Sequence, residues 1–371
     1  MKYHITLGAA VCCLLMTTAT VLGEPEAPTA TCTSTASGDW TTISWAGCAS
    51  GPQVNDGVVI AAGHTVILDT DVTSASLTVD GTLRFGNNST PRTLIVTGDV
   101  AINTGGRIDT SNNKAGHAIR LSGNFTNNGT FDGYQNKNRY IDVTFGGSRV
   151  QIISGSNPSS LSDLTINSGS RVVFPAANPP DVNGVMTVNP GGAVQQTQIV
   201  SNSSVNFLQI SGSAYRGVDL TTANNLGSTT VVITTTAGDG CTTSGSGSPA
   251  YATRCYEITP ANNLPATVRL YALTDTQLNG LNQANLHIHH YIAGTWQQLT
   301  LNASNGSASG GYSYAQADTS GFSAFLLGGP AGPTAVTLTA LNAQAPTVFP
   351  LLPIGLTLLV GVLVLVTKRR V

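Results

Sequence analysis

Charge is what this sequence has least of. Only 9% of its 371 residues are Asp, Glu, Lys or Arg, against about 25% in an ordinary soluble domain. Glutamate is confined to Glu24, Glu26 and Glu257, and lysine is nearly as rare. A formal net charge of −2 excludes the broad positive field with which nucleic-acid-binding domains hold phosphates, so no nucleic-acid partner is expected. Good helix formers are scarce, whereas Gly (41 residues), Thr, Ser, Asn and Val are plentiful. These are strand and turn residues, and they predict an all-β chain. A Ser-His-Asp order, a phosphate-cradling loop and a redox cysteine pair are also missing. No stretch reads as an active site, and no cofactor is implied.

What the sequence has is a repeat. Leu77-Thr78-Val79-Asp80-Gly81-Thr82-Leu83 is followed by Leu94-Ile95-Val96-Thr97-Gly98, then Gly105-Gly106-Arg107-Ile108-Asp109 and Ile119-Arg120-Leu121-Ser122-Gly123. Short alternating apolar runs end in Gly or Asn-Gly and return after about 23 residues, a period typical of solenoids. With no helical pattern between them, the runs predict a right-handed parallel β-helix whose inward Leu, Ile and Val stack from coil to coil. The pattern continues less regularly through Val185-Met186-Thr187-Val188 and Phe207-Leu208-Gln209-Ile210. A β-sandwich is the competing architecture for this region.

The termini carry targeting patterns. Lys2 followed by the apolar run Ile5 to Val21 and Leu22-Gly23 matches a secretory signal. Val11 before Cys12 argues against lipidation there. Val348 to Thr367 holds no charged residue, long enough at about 1.5 Å per residue to cross a bilayer, and Lys368-Arg369-Arg370 follows. Basic residues remain on the cytoplasmic side, so a single-pass cell-membrane protein with its body outside is expected. The oxidising exterior then makes Cys32–Cys48 and Cys241–Cys255 the natural disulfides, each closing a loop of about 15 residues. Trp40 and Trp45 beside the first pair suit a cap on the first coil, with an aromatic sugar platform as the alternative.

Pro52-Gln53-Val54-Asn55-Asp56-Gly57-Val58-Val59-Ile60 and Ala61-Ala62-Gly63-His64-Thr65-Val66-Ile67-Leu68-Asp69, with the preceding Trp40…Trp45-Ala46-Gly47, resemble the opening of the G8 type of extracellular β-helix domain. Similar openings occur in bacterial surface β-helix proteins. The resemblance covers Trp40 to Phe85 and implies a large cell-surface protein, in some cases linked to hyaluronan or other polysaccharides. It carries no catalytic residue across.

From about Ser228 the texture changes. Thr229 to Thr236, Tyr256 to Pro260, Ala266 to Tyr271, Leu286 to Tyr291 and Phe322 to Leu327 read as strands of a separate small β-sandwich, similar to a module near the C-terminus of bacterial surface proteins. The expected order is a signal peptide (1–23), a disulfide-bearing cap (24–50), a parallel β-helix (51–227), a β-sandwich (228–329), a Pro/Ala/Thr linker (330–347), a transmembrane helix (348–367) and a basic tail (368–371).

Few residues suggest chemistry. His287 and His289 share one face of a strand and would need a third ligand from elsewhere to hold a metal. A polar outer face is the simpler account. A glycosidase needs two carboxyls, here chosen from Asp69, Asp71, Asp80, Asp99, Asp109 and Asp132, which lie mostly at turns where Asp serves the local backbone. Lys114, His117, Arg120, Tyr134, Lys137 and Arg139 flank two turn regions, and together they would form a basic, Tyr-containing patch for an acidic glycan. The functional expectation is a membrane-anchored stalk, adhesin or glycan-contacting module without catalysis, touching an extracellular polysaccharide or another cell surface. A polysaccharide lyase or hydrolase on the same fold, and a purely structural envelope component, are the alternatives.

Overall fold

A computed structural model describes residues 27–86, 90–111, 115–236 and 251–330. The signal segment, Lys114, Cys241, the linker and the apolar segment 348–367 lie outside the described residues. Among the described residues the only helix is a 3₁₀ turn at Gln283–Asn285, and no helix is long and apolar enough to cross a membrane.

Three short strands and three corners make each coil. The coil Ser76–Val79, Thr82–Phe85, Thr93–Val96 stacks beneath Val100–Ile102, Arg107–Thr110, Ala115–Leu121. All three contacts are parallel and in register. First strands join into a 14-stranded sheet 1, second strands into sheet 2 and third strands into sheet 3, each of the latter with seven strands. The alternation seen in the sequence is met in three dimensions. Leu77, Val79, Leu83, Phe85, Leu94, Val96, Val100 and Ile102 point inward with at most 1% exposure. No coil buries enough apolar area alone, so the stack is the unit of stability.

The N-terminal end is closed. Thr31–Ser34 pairs antiparallel with Trp45–Ala46 on one side and parallel with Gly57–Ile60 on the other. The Cys32–Cys48 disulfide crosses this cap, and Trp40 and Trp45 are buried with ring centroids 4.7 Å apart. Burial removes both rings as sugar platforms and leaves them the capping role. Cys255 is disulfide-bonded as well.

At its other end the solenoid merges with the β-sandwich. Ala193–Ser201 lies parallel to Arg171–Phe174 on one edge and antiparallel to Asn225–Thr235 on the other. Sheet 1 therefore passes directly into antiparallel strands, and one apolar cluster runs from Cys32 to Leu327. A five-stranded sheet 4 covers this extension, in the order Ser204–Phe207, Val218–Thr221, Ala266–Leu273, Tyr312–Thr319, Gly306–Ala308. Its first two strands fall inside the stretch expected to form coils (51–227). They pair antiparallel with each other and with Ala266–Leu273, so they belong to the sandwich.

Candidate functional site

The aspartates are part of the scaffold. Asp69 accepts the backbone N–H (3.2 Å) and hydroxyl of Thr41; Asp71 accepts the N–H of Thr93 at 2.8 Å. Asp80 takes the Asn103 amide at 2.7 Å, and Asp99 the N–H of Asn124 at 2.7 Å. Each bond ties one coil to the next at or beside a corner, where backbone groups would otherwise go unpaired. Asp109 receives Arg84 through both oxygens at 2.8 Å and Arg107 at 2.7 Å, and Arg107 reaches on to Asp132 at 2.8 Å. Arg84, Asp109 and Asp132 stand in one row across sheet 2. All six candidate carboxylates are thus engaged. Asn124 and Asn128 likewise accept backbone N–H groups of the next coil at 2.9 and 3.0 Å.

The basic residues divide. Most strands of sheet 3 are three or four residues long, but Ala115–Leu121 and Arg139–Phe145 each have seven. The pairs Ala115–Arg139, Gly116–Tyr140 and His117–Ile141 extend past the start of Thr93–Val96. Tyr134–Asn136 folds back antiparallel on this overhang, with the exposed Lys137 in the turn. The result is a ledge bearing Tyr134, Lys137, Arg139 and Tyr140. The Tyr140 ring packs against Gly116, where a Cβ would sit 2.4 Å from it. Tyr140 is the one member of the ledge that the sequence does not single out. Its signal is Gly116, opposite in register, which leaves room for a ring.

Arg120 is exposed on the same sheet but lies opposite Thr144, five residues along from Arg139, or roughly 17 Å at about 3.3 Å per residue. His117 turns inward, 2% exposed, with its ring 5.4 Å from Phe85. It is a core residue. Its Nδ1 accepts the N–H of Arg92 at 3.1 Å, which fixes the neutral tautomer protonated at Nε2. Burial, with the nearby Arg92 charge adding to it, lowers its pKa to about 4. The folded value lies below the ordinary one near 6.5, so the unfolded chain binds more protons between those pH values. Stability is expected to fall as pH drops from about 6.5 to about 4. Urea unfolding across that window should show a shallower loss in His117→Phe. His289 and His290 are shifted down by burial too and contribute in the same sense.

His287 and His289 share one face of His287–Ile292, but His289 is buried there, so the polar outer face expected from the alternation is not met. His289 Nε2 meets the Gly329 carbonyl at 2.9 Å, and His287 Nδ1 meets the Gln298 amide at 3.0 Å. His290 faces the other way, stacked on Phe325 at 4.2 Å. Among the described residues, the one group of three His, Cys, Asp or Glu side chains close enough to share an ion is Cys32, Cys48 and Asp56. Two of those are joined as a disulfide.

The family model of the G8 domain matches residues 44–165. That span runs from the cap into Leu164–Ile166 and includes the ledge. It extends well past the stretch whose resemblance is legible by eye. No curated protein and no solved structure matches the chain. The match and the stacked coils together make residues 44–165 a G8-like β-helix.

Proposed function

We propose that this chain is a cell-surface module, held by a single span at 348–367 with its body outside, and that its solenoid contacts an acidic glycan without cleaving it. The observation that carries the reading is the ledge. Tyr134 and Tyr140 pair across the overhang, with Lys137 in its turn and Arg139 at its edge, while the carboxylates that hydrolysis would need are bound into the coils. Tyrosine offers a sugar an apolar ring and a hydroxyl, and Arg or Lys pairs with a uronate carboxylate. The rigid solenoid supports the ledge as a stalk or adhesin would.

Lys137→Ala combined with Arg139→Ala is expected to weaken binding of a uronate hexasaccharide by about tenfold or more, as loss of charge-assisted bonds does. Surface plasmon resonance on the full chain reads it, and unchanged affinity would sink the proposal. The topology has its own check: protease added to intact cells should remove the body of the protein.

A further inference from the structure

We infer that the outer face of sheet 4 is a second glycan-binding site, one that takes a neutral, polyhydroxylated chain. Three depressions of about 550, 290 and 340 Å³ adjoin across this face. The first two share Asn206, and the second and third share Thr221 and Thr267. Through these shared residues they run together as one shallow polar groove along the sheet.

Its floor is a grid. Four antiparallel strands place Ser204, Thr221, Thr267 and Asp318 in one row. Asn206, Asp219, Arg269 and Gln316 form the next. Every position is polar, while the intervening Leu220, Val268, Leu270, Ala315 and Ala317 are buried in the sandwich core. Neighbouring side chains already hold one another. Ser204 and Thr221 hydroxyls meet at 2.8 Å, Arg269 Nε donates to Gln316 at 2.8 Å, and Asn302 links Gln316 and Asp318 at 3.0 and 2.6 Å. The Arg269 guanidinium also lies 4.7 Å from the Tyr314 ring centroid and 3.9 Å from Asp219. The donors and acceptors are therefore fixed before a ligand arrives, which limits the entropy lost on binding.

The chemistry selects among partners. A protein interface would have an apolar centre, and this grid has none. Nucleic acid needs an excess of cations. Here Arg216 and Arg269 are balanced by Asp219 and Asp318. Hydroxyl-sized donors and acceptors at strand spacing, in an elongated groove, fit an extended saccharide chain without net charge. The ledge takes no part, so the two sites can fail separately.

The test uses the full-length protein and a panel of neutral hexasaccharides (glucan, xylan and mannan series), with a uronate hexamer and a single-stranded oligonucleotide as comparisons. Calorimetry is expected to show at least one neutral hexamer bound, and about tenfold or greater weakening in Arg269→Ala. Thr221→Trp, which fills the groove without removing Arg269 or Asp219, should weaken binding equally and keeps the test valid if Arg269→Ala misfolds. Lys137→Ala/Arg139→Ala should leave neutral binding unchanged. The proposal is overturned if no neutral hexamer binds, if binding survives Thr221→Trp, if the oligonucleotide is preferred, or if only the ledge variant loses the neutral ligand.

Discussion

Gly106→Val is expected to destabilise the protein by about 3 kcal/mol or more, the upper range for overpacking. Gly81, Gly106 and Gly129 stack at the corner between sheets 1 and 2, each one residue before the in-register Thr82, Arg107 and Thr130. A Cβ on Gly106 would lie 2.0 Å from the Val79 carbonyl oxygen and 2.9 Å from that of Asn103. Both are backbone, and Val79 belongs to the coil below, so neither can turn aside as a side chain would. The neighbouring Gly105 is the contrast: it has φ +87°, and a Cβ there would meet nothing within 4 Å. It needs glycine's conformational freedom but not its small size. Gly105→Asn should therefore be nearly neutral, since Asn tolerates the left-handed region. Hydrogen exchange of the flanking coils reads the difference even where a solenoid unfolds in parts.

The second large effect is expected at Arg254, which is fully buried between the two sheets of the sandwich. Its Nη1 donates to the carbonyls of Arg216 at 2.7 Å and Tyr271 at 2.9 Å. The guanidinium lies 4.6 Å from the Tyr215 ring centroid and 5.3 Å from that of Tyr312. Arg254→Ala would leave those carbonyls without this donor and open a cavity between the rings, at a cost of about 3–5 kcal/mol. Arg254→Lys keeps the charge but lacks the planar fork that serves two carbonyls and two rings at once. It should recover only part of the loss. Urea denaturation of the three proteins checks the order, and a wild-type-like Arg254→Lys would show that charge alone matters.

Gly106 and Arg254 also mark how far the sequence can be read. The Gly81, Gly106 and Gly129 corners are legible because stacking in register forces the same residue types to recur, and inward Leu83, Ile108 and Phe131 recur with them. Arg254 is not legible. Alternation along Tyr251–Pro260 puts it on the same face as the core residues Ala252 and Tyr256, and no local pattern announces an inward arginine. His117 is the reverse case, since its spacing with Ile119 and Leu121 is an inward signal obscured by the basic residues around it. The fusion of solenoid and sandwich is hidden for another reason. The switch from parallel to antiparallel pairing on Ala193–Ser201 depends on Asn225–Thr235, and the groove needs strands as far apart as Ser204–Phe207 and Tyr312–Thr319. Pairing over such separations leaves no periodic trace.

Contact without catalysis is the property on which the proposed function stands, and one experiment tests it most directly. The full-length protein is incubated with a soluble uronate polysaccharide while bound fraction and chain length are followed together by light scattering. The polysaccharide should bind and keep its length, with binding weakened in Lys137→Ala/Arg139→Ala. Shortening of the polymer with release of new ends would contradict the account.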